Sequence, residues 1–238
     1  MRKIFAILAV AALSTSAFAG VLNAGELFYN PALAGTGAVG QNGPYYTSGT
    51  PAWMTPANLH DSLSSPIQGI PGFAQFEGTV ESYCYNIPGG GLGIAYRINL
   101  AANSAPRLVR ASVAASNWDT IQVSDAGADG SGASTPAANN PTWNDGDPYF
   151  IERDAVTAAP QWVFRLGTNG TVIDPNGSSA LVWFETNGEY CVETSISLLD
   201  GGAAGAARVL TVGIPSPAAA GLGMLGLALV SGLRRRLA

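Results

Sequence analysis

The sequence predicts an all-β fold, a β-sandwich or jelly roll, forming one domain between an export leader and a membrane-directed tail. Three observations predict it. Leu92, Ile94, Tyr96, Ile98 and Leu100 occupy every second position, the period of a strand with one buried and one wetter face. Turn signals at Pro88 to Gly91, Asn169-Gly170, Pro175 to Gly177 and Asn187-Gly188 separate short apolar runs, as they do in sandwiches. Between Gly20 and Gly213 no long stretch shows the helical period of an amphipathic helix.

The first element is not part of the fold. Met1-Arg2-Lys3 is positively charged, Ile4 to Leu13 is apolar, and Ala17-Phe18-Ala19 is a small-x-small cleavage site. Residues 1–19 therefore read as a secretory signal peptide, which implies the Sec export machinery and signal peptidase as partners. Of the 11 basic residues, Arg2, Lys3 and Arg234 to Arg236 lie outside the mature region. Six basic residues then face all 16 acids, for a net charge near −10 with no lysine. Phosphate contacts need Lys and Arg, so this composition excludes a nucleic-acid partner.

The mature domain spans residues 20–213 and is loop-rich to residue 77, with the main strands in 78–213. In the first part we expect strands at Glu26 to Tyr29 and Phe73 to Phe76, and a helical turn at Asn58 to Asp61. His60-Asp61-Ser62 has the residue types of a catalytic triad, but triads are assembled from distant positions, and the run is a coincidence. Thr79 to Asn86 and Leu92 to Leu100 form a hairpin around the glycine turn. Shorter strands follow at Leu108 to Val113 and Asp119 to Val123, then a long insertion from Asp125 to Pro148. Gln161 to Leu166, Ala180 to Thr186, Tyr190 to Leu198 and Val209 to Val212 complete the set. Asn187-Gly188 is a type I′ hairpin signal between two of them.

Both cysteines, Cys84 and Cys191, lie in the exported region. An oxidising compartment permits a single intramolecular disulfide; the alternative is two separated thiols. The bond would close a loop of about a hundred residues and contribute on the order of 4 kcal/mol.

No catalytic residue is predicted, and no cofactor beyond calcium. Asp125, Asp129, Asp145 and Asp147 crowd carboxylates into expected loops, and hard oxygen ligands suit calcium. Asp beside Gly is also an ordinary turn former. Glu185, Glu189 and Glu193 are the carboxylates a glycosidase-like enzyme would use. Trp118, Trp143, Trp162 and Trp183, with Tyr45, Tyr46, Tyr83 and Tyr85, are the aromatics a carbohydrate-binding face would use against an extracellular polysaccharide. The alternating context of Trp162 and Trp183 assigns those two to the core, and leaves Trp143 as the exposed candidate.

The tail occupies residues 214–238. Pro215-Ser216-Pro217 stops the last strand, and Ala218 to Leu233 is an uncharged apolar run read as a single transmembrane helix. Arg234, Arg235 and Arg236 close it on the cytoplasmic side. Pro-x-Pro, an apolar helix and an arginine cluster at the C-terminus resemble the PEP-CTERM sorting signal, with Ser216 where the family usually has Glu. The resemblance implies an exosortase-like enzyme that cuts the tail, and delivery of a bacterial protein to the cell surface or extracellular matrix. Gly78 to Tyr85, Ile94 to Arg97, Ser178 to Asn187 and Asp200 to Gly202 are similar to blocks in ectodomains of that family. Those blocks imply a β-sandwich and bring no catalytic residue with them, and we expect a non-enzymatic surface or matrix protein.

Overall fold

The computed structural model describes residues 21–33, 44–104, 107–114, 118–132, 146–166, 169–170, 172–200 and 202–214. The signal peptide, the tail from Pro215, Trp143 and Asp145 lie outside the described residues. Eight strands make the first half: Leu27–Tyr29 (β1), Thr47–Ser48 (β2), Leu59–Pro66 (β3), Gln68–Gly69 (β4), Ala74–Gln75 (β5), Gly78–Asn86 (β6), Leu92–Leu100 (β7) and Arg110–Val113 (β8). The second half holds Val123–Ala128 (β9), Phe150–Arg153 (β10), Pro160–Val163 (β11), Arg165–Leu166 (β12), Asn169–Gly170 (β13), Val182–Thr186 (β14), Tyr190–Asp200 (β15) and Ala203–Gly213 (β16). Among the described residues the only helical pieces are two 3-10 turns, Pro31–Leu33 and Pro56–Asn58, and no helix is long and apolar enough to cross a membrane.

The chain is all-β, a sandwich of two sheets. The six-stranded sheet runs β2-β9-β14-β7-β6-β3; the eight-stranded sheet runs β1-β10-β11-β8-β15-β16-β4, with β5 also on β16. Inward residues of both sheets meet in one core: Val80, Ile94, Tyr96, Ile98 and Phe184 from the first, Ala111, Trp162, Ile196 and Val209 from the second. Tyr96 stacks on Trp162 with ring centroids 5.4 Å apart. Such pairs add about 1 kcal/mol beyond the area they bury.

The β6–β7 hairpin forms as its alternation predicts, with Val80 opposite Ile98 and Cys84 opposite Ile94. Gly89, Gly90 and Gly91 all have positive φ, which is why the turn is built of glycine. The expected wetter face of β7 is wet only at one end. Gly93 and Ala95 are buried, while Arg97 and Asn99 are partly exposed. A second cluster of Trp53, Tyr85, Ala95, Leu181 and Trp183 covers that outer face.

Four other expectations are corrected. The helical turn at Asn58 to Asp61 is a strand start: the 3-10 turn ends at Asn58 and β3 pairs with β6 along its length. The strand expected at Asp119 to Val123 begins instead at Val123 and runs to Ala128, inside the expected insertion. Ala126, Gly127 and Ala128 look like loop residues in sequence, yet they are small because β9 lies between β14 and β2. Asn187-Gly188 is not a hairpin turn, since β14 and β15 belong to different sheets. The chain crosses between sheets there, with Thr186 Oγ1 accepting the Gly188 N–H at 3.1 Å and Asn187 Oδ1 accepting that of Gln122 at 2.8 Å. The last strand extends far beyond Val209 to Val212, because Ala203 to Ala207 also pairs with β15.

Two links join the sheets at one end. Cys84 on β6 and Cys191 on β15 form a disulfide, with Cα atoms 6.6 Å apart and a sequence separation of 107. The Leu210 N–H of β16 donates to Ser82 Oγ of β6 at 2.8 Å. A third fastening is a buried arginine. Arg153 Nε donates to Ala158 O, Nη1 to Leu22 O, and Nη2 to both Trp118 O and Ile121 O. Burial holds its pKa below the usual arginine range. One guanidinium thus gathers the N-terminal segment, the turn after Trp118 and the end of β10.

We expect Arg153→Met to cost about 2–3 kcal/mol in urea unfolding, since it leaves several buried carbonyls without a donor. Arg208→Met, which breaks the exposed pair with Glu193, should stay within about 0.5 kcal/mol. Replacing both cysteines by serine should cost roughly 4 kcal/mol by the same measurement.

Candidate functional site

The outer face of the six-stranded sheet is where chemistry-bearing residues gather. Register places Glu185 of β14 opposite Asp125 of β9, and the next pair is Thr186 with Val123. Ser124 is therefore the extra residue of a β-bulge, a device that re-aims side chains. The bulge lets Ser124 Oγ donate to Glu185 Oε1 at 3.1 Å while Asp125 lies beside the same glutamate. Two carboxylates from positions 60 residues apart in sequence are thereby brought together.

Both hold one segment. Residues 47–58 cross the sheet as a strap that begins in β2, which pairs in parallel with β9. Thr47 Oγ1 donates to the Asp125 carboxylate at 3.0 and 3.2 Å. Trp183 Nε1 donates to Gly49 O at 3.0 Å, and Trp53 Nε1 to Glu185 Oε2 at 3.0 Å. Two glycines make room. A Cβ on Gly93 would collide with the ring of Trp53, and one on Gly127 would collide with Thr47 O and Trp183. Trp53 meets Trp183 edge-on at 5.8 Å and lies 5.7 Å from Tyr85.

The electrostatics follow from burial. Asp125 is pushed up to about 6, first by burial and further by the charge of Glu185, against the lowering bonds from Thr47 and the Ala126 N–H. Tyr83 is pushed up to about 12 by burial and by its bond to Glu81. A carboxyl poised near neutrality beside a second carboxylate can hold or release a proton. Each oxygen pair also accepts bonds that fasten the strap.

The other predicted residues are placed elsewhere. Asp129 shares a face with Asp125, but its carboxylate accepts bonds from Ser131, the Leu181 N–H and Arg97. Asp147 is buried, and its charge, after burial itself, raises the Tyr46 phenol. Among the described residues no three His, Cys, Asp or Glu side chains form a group that could hold a metal. The three glutamates weighed for glycoside chemistry do not converge: Glu185 sits on this sheet, Glu193 pairs with Arg208 on the other, and Glu189 lies between the strands. Trp118, Trp162 and Trp183 are fully buried and offer no stacking surface. His60, Asp61 and Ser62 lie on the exposed edge strand β3, where Asp61 Oδ1 accepts the Ser62 N–H at 2.8 Å.

Sequence reasoning weighed Asp125 and Glu185 separately and missed Thr47, Trp53 and Ser124 as their partners. The bulge and the parallel pairing of β2 carry no local signal. Comparison with protein-family models, with curated proteins and with solved structures finds no match for this chain.

Gly93→Ala tests this arrangement. The added methyl group should lift Trp53 from the sheet, break its bond to Glu185 and cost about 1–3 kcal/mol. Tryptophan emission in the folded state should move to longer wavelength, and an unchanged spectrum would contradict the packing described.

Proposed function

We propose that this chain is an exported, non-enzymatic protein of the cell surface or extracellular matrix, a sandwich of the jelly-roll-like kind. Sec carries it out, signal peptidase removes residues 1–19, and residues 218–233 halt in the membrane with Arg234 to Arg236 inside. An exosortase-like enzyme then cuts near Pro215-Ser216-Pro217 and releases or transfers the domain. The observation that carries the reading is the Cys84–Cys191 disulfide. Such bonds form and persist in oxidising compartments.

The end of the fold agrees with this order of events. β16 runs to Gly213 between strands of the core, and Ile214 still packs against that core. Pro215 follows at once, so the segment that would be cut begins directly after the last strand. The side-chain bonds of Asp125 and Glu185 also support a non-enzymatic reading, since both carboxylates are used to hold the strap.

Intact mass of the protein recovered from the surface fraction tests the proposal. The expected species begins at Gly20, ends near Pro217 and is two hydrogens lighter than its reduced form. A chain that keeps residues 1–19 and Arg234 to Ala238, with two free thiols, would overturn it.

A further inference from the structure

We propose that residues 47–58 form a pH-responsive strap, closed on the six-stranded sheet in mild acid and loosened as the pH rises to neutrality. The inference stands on the face described above and is independent of how the chain is sorted. Three side-chain bonds fasten the strap: Thr47 to Asp125, Trp183 to Gly49 and Trp53 to Glu185. Two of the three end on carboxylates that are cross-strand neighbours. Like charges directly opposite each other on a sheet are destabilising.

Nothing on the strap offsets that repulsion, because residues 44–58 contain no charged side chain. Around Asp125, β2 presents Thr47, and β14 presents Glu185. β9 itself adds Ser124 and, further along, Asp129. On β7 the one cation is Arg97, which is bonded to Asp129 and Ser131. β6 contributes Glu81 and the neutral Tyr83 and Tyr85, and β3 contributes His60 and Asp61 at the far edge. The geometry thus leaves two carboxylates side by side with only neutral donors: the Thr47 hydroxyl and the Ala126 N–H on Asp125, the Ser124 hydroxyl and the Trp53 indole on Glu185.

The sign follows from Asp125, whose folded carboxyl lies near 6, above its ordinary value. The stability it contributes is present in full below the unfolded carboxyl range, and is lost as the pH rises through about 6. The bonds at risk are local to the strap, since the hairpin β6–β7 beneath it is held by its own ladder. Loosening would uncover Trp183, Tyr85 and the two glycines that make the floor flat.

Hydrogen exchange read by mass spectrometry tests this, with rates corrected for the intrinsic effect of pH. Protection of residues 47–58 in the full exported chain should fall by several-fold and at most about tenfold between pH 5 and pH 7.5, since part of the effect is already lost by pH 5 and Asp125 is partly exposed. Protection of β6 and β7 should not change. In Asp125→Asn the strap should keep its acid-state protection at both pH values. Glu185→Gln, whose amide oxygen can still accept from Trp53, should flatten the profile as well and decides the matter if the first variant does not fold. Equal protection at the two pH values in the natural chain would overturn the proposal. So would an undiminished fall in the substituted chains, or a fall shared by β6 and β7.

Discussion

The centre of the six-stranded sheet must be covered on both faces, and the sandwich covers only one. Across the sheet, β7 and β14 carry apolar or small residues on their outer side, among them Ala95 and Trp183. The opposing sheet packs on the inner side alone. The outer side is closed by one tryptophan delivered on a short strap. From that requirement the rest of the face follows. Gly93 has no side chain so that Trp53 can lie down, and Gly127 has none so that Thr47 and Trp183 can approach. Burying two indoles leaves two N–H groups in need of acceptors, which Gly49 O and Glu185 supply.

Elsewhere the fold relies on fastenings that act across long sequence distances. Arg153 gathers carbonyls from Leu22, Trp118, Ile121 and Ala158 with four donors of one rigid fork. A lysine could not reproduce it, since its ammonium has only three donors and no planar geometry. The disulfide and the Ser82–Leu210 bond lie two residues apart on β6 and tie the final hairpin to the other sheet. The free edge of β3 is guarded more lightly. Ile67 donates to Gly78 O, so alternation turns the N–H groups of Ser62 and Ser64 outward. Asp61 takes the first, and Pro66 has none to offer. That leaves little of the strand able to template pairing with another chain.

The β6–β7 hairpin was legible because its signals are local. Alternation along Leu92 to Leu100 fixes both the strand and its inward face, and the glycine turn fixes its partner. The assignment of Trp162 and Trp183 to the interior rests on the same alternation and agrees with their burial. What escaped was decided by pairing between distant segments. β3 looks like loop because Ser and Asp dominate it, yet β6 supplies a ladder that overrides composition. β9 looks like insertion because small residues mark turns as well as crowded strands. Asn187-Gly188 carries the right residues for a hairpin, but neither residue has the positive φ that a type I′ turn requires, and the side chains of Thr186 and Asn187 steer the chain to the other sheet.

The candidate site was legible residue by residue and illegible as a site. Asp125 stands out because of the glycines around it, and Glu185 because it ends an apolar strand. No sequence pattern couples positions separated by a bulge and a sheet register. The coupling nonetheless has a chemical cost. A glutamine at 185 would accept the Trp53 bond, and an asparagine at 125 would accept the Thr47 bond, without two like charges meeting. Holding a half-buried carboxyl in reach of a second one makes the strap weaker at neutral pH than an amide would. A fold that elsewhere satisfies the buried Arg153 with carbonyls did not need this arrangement for packing alone.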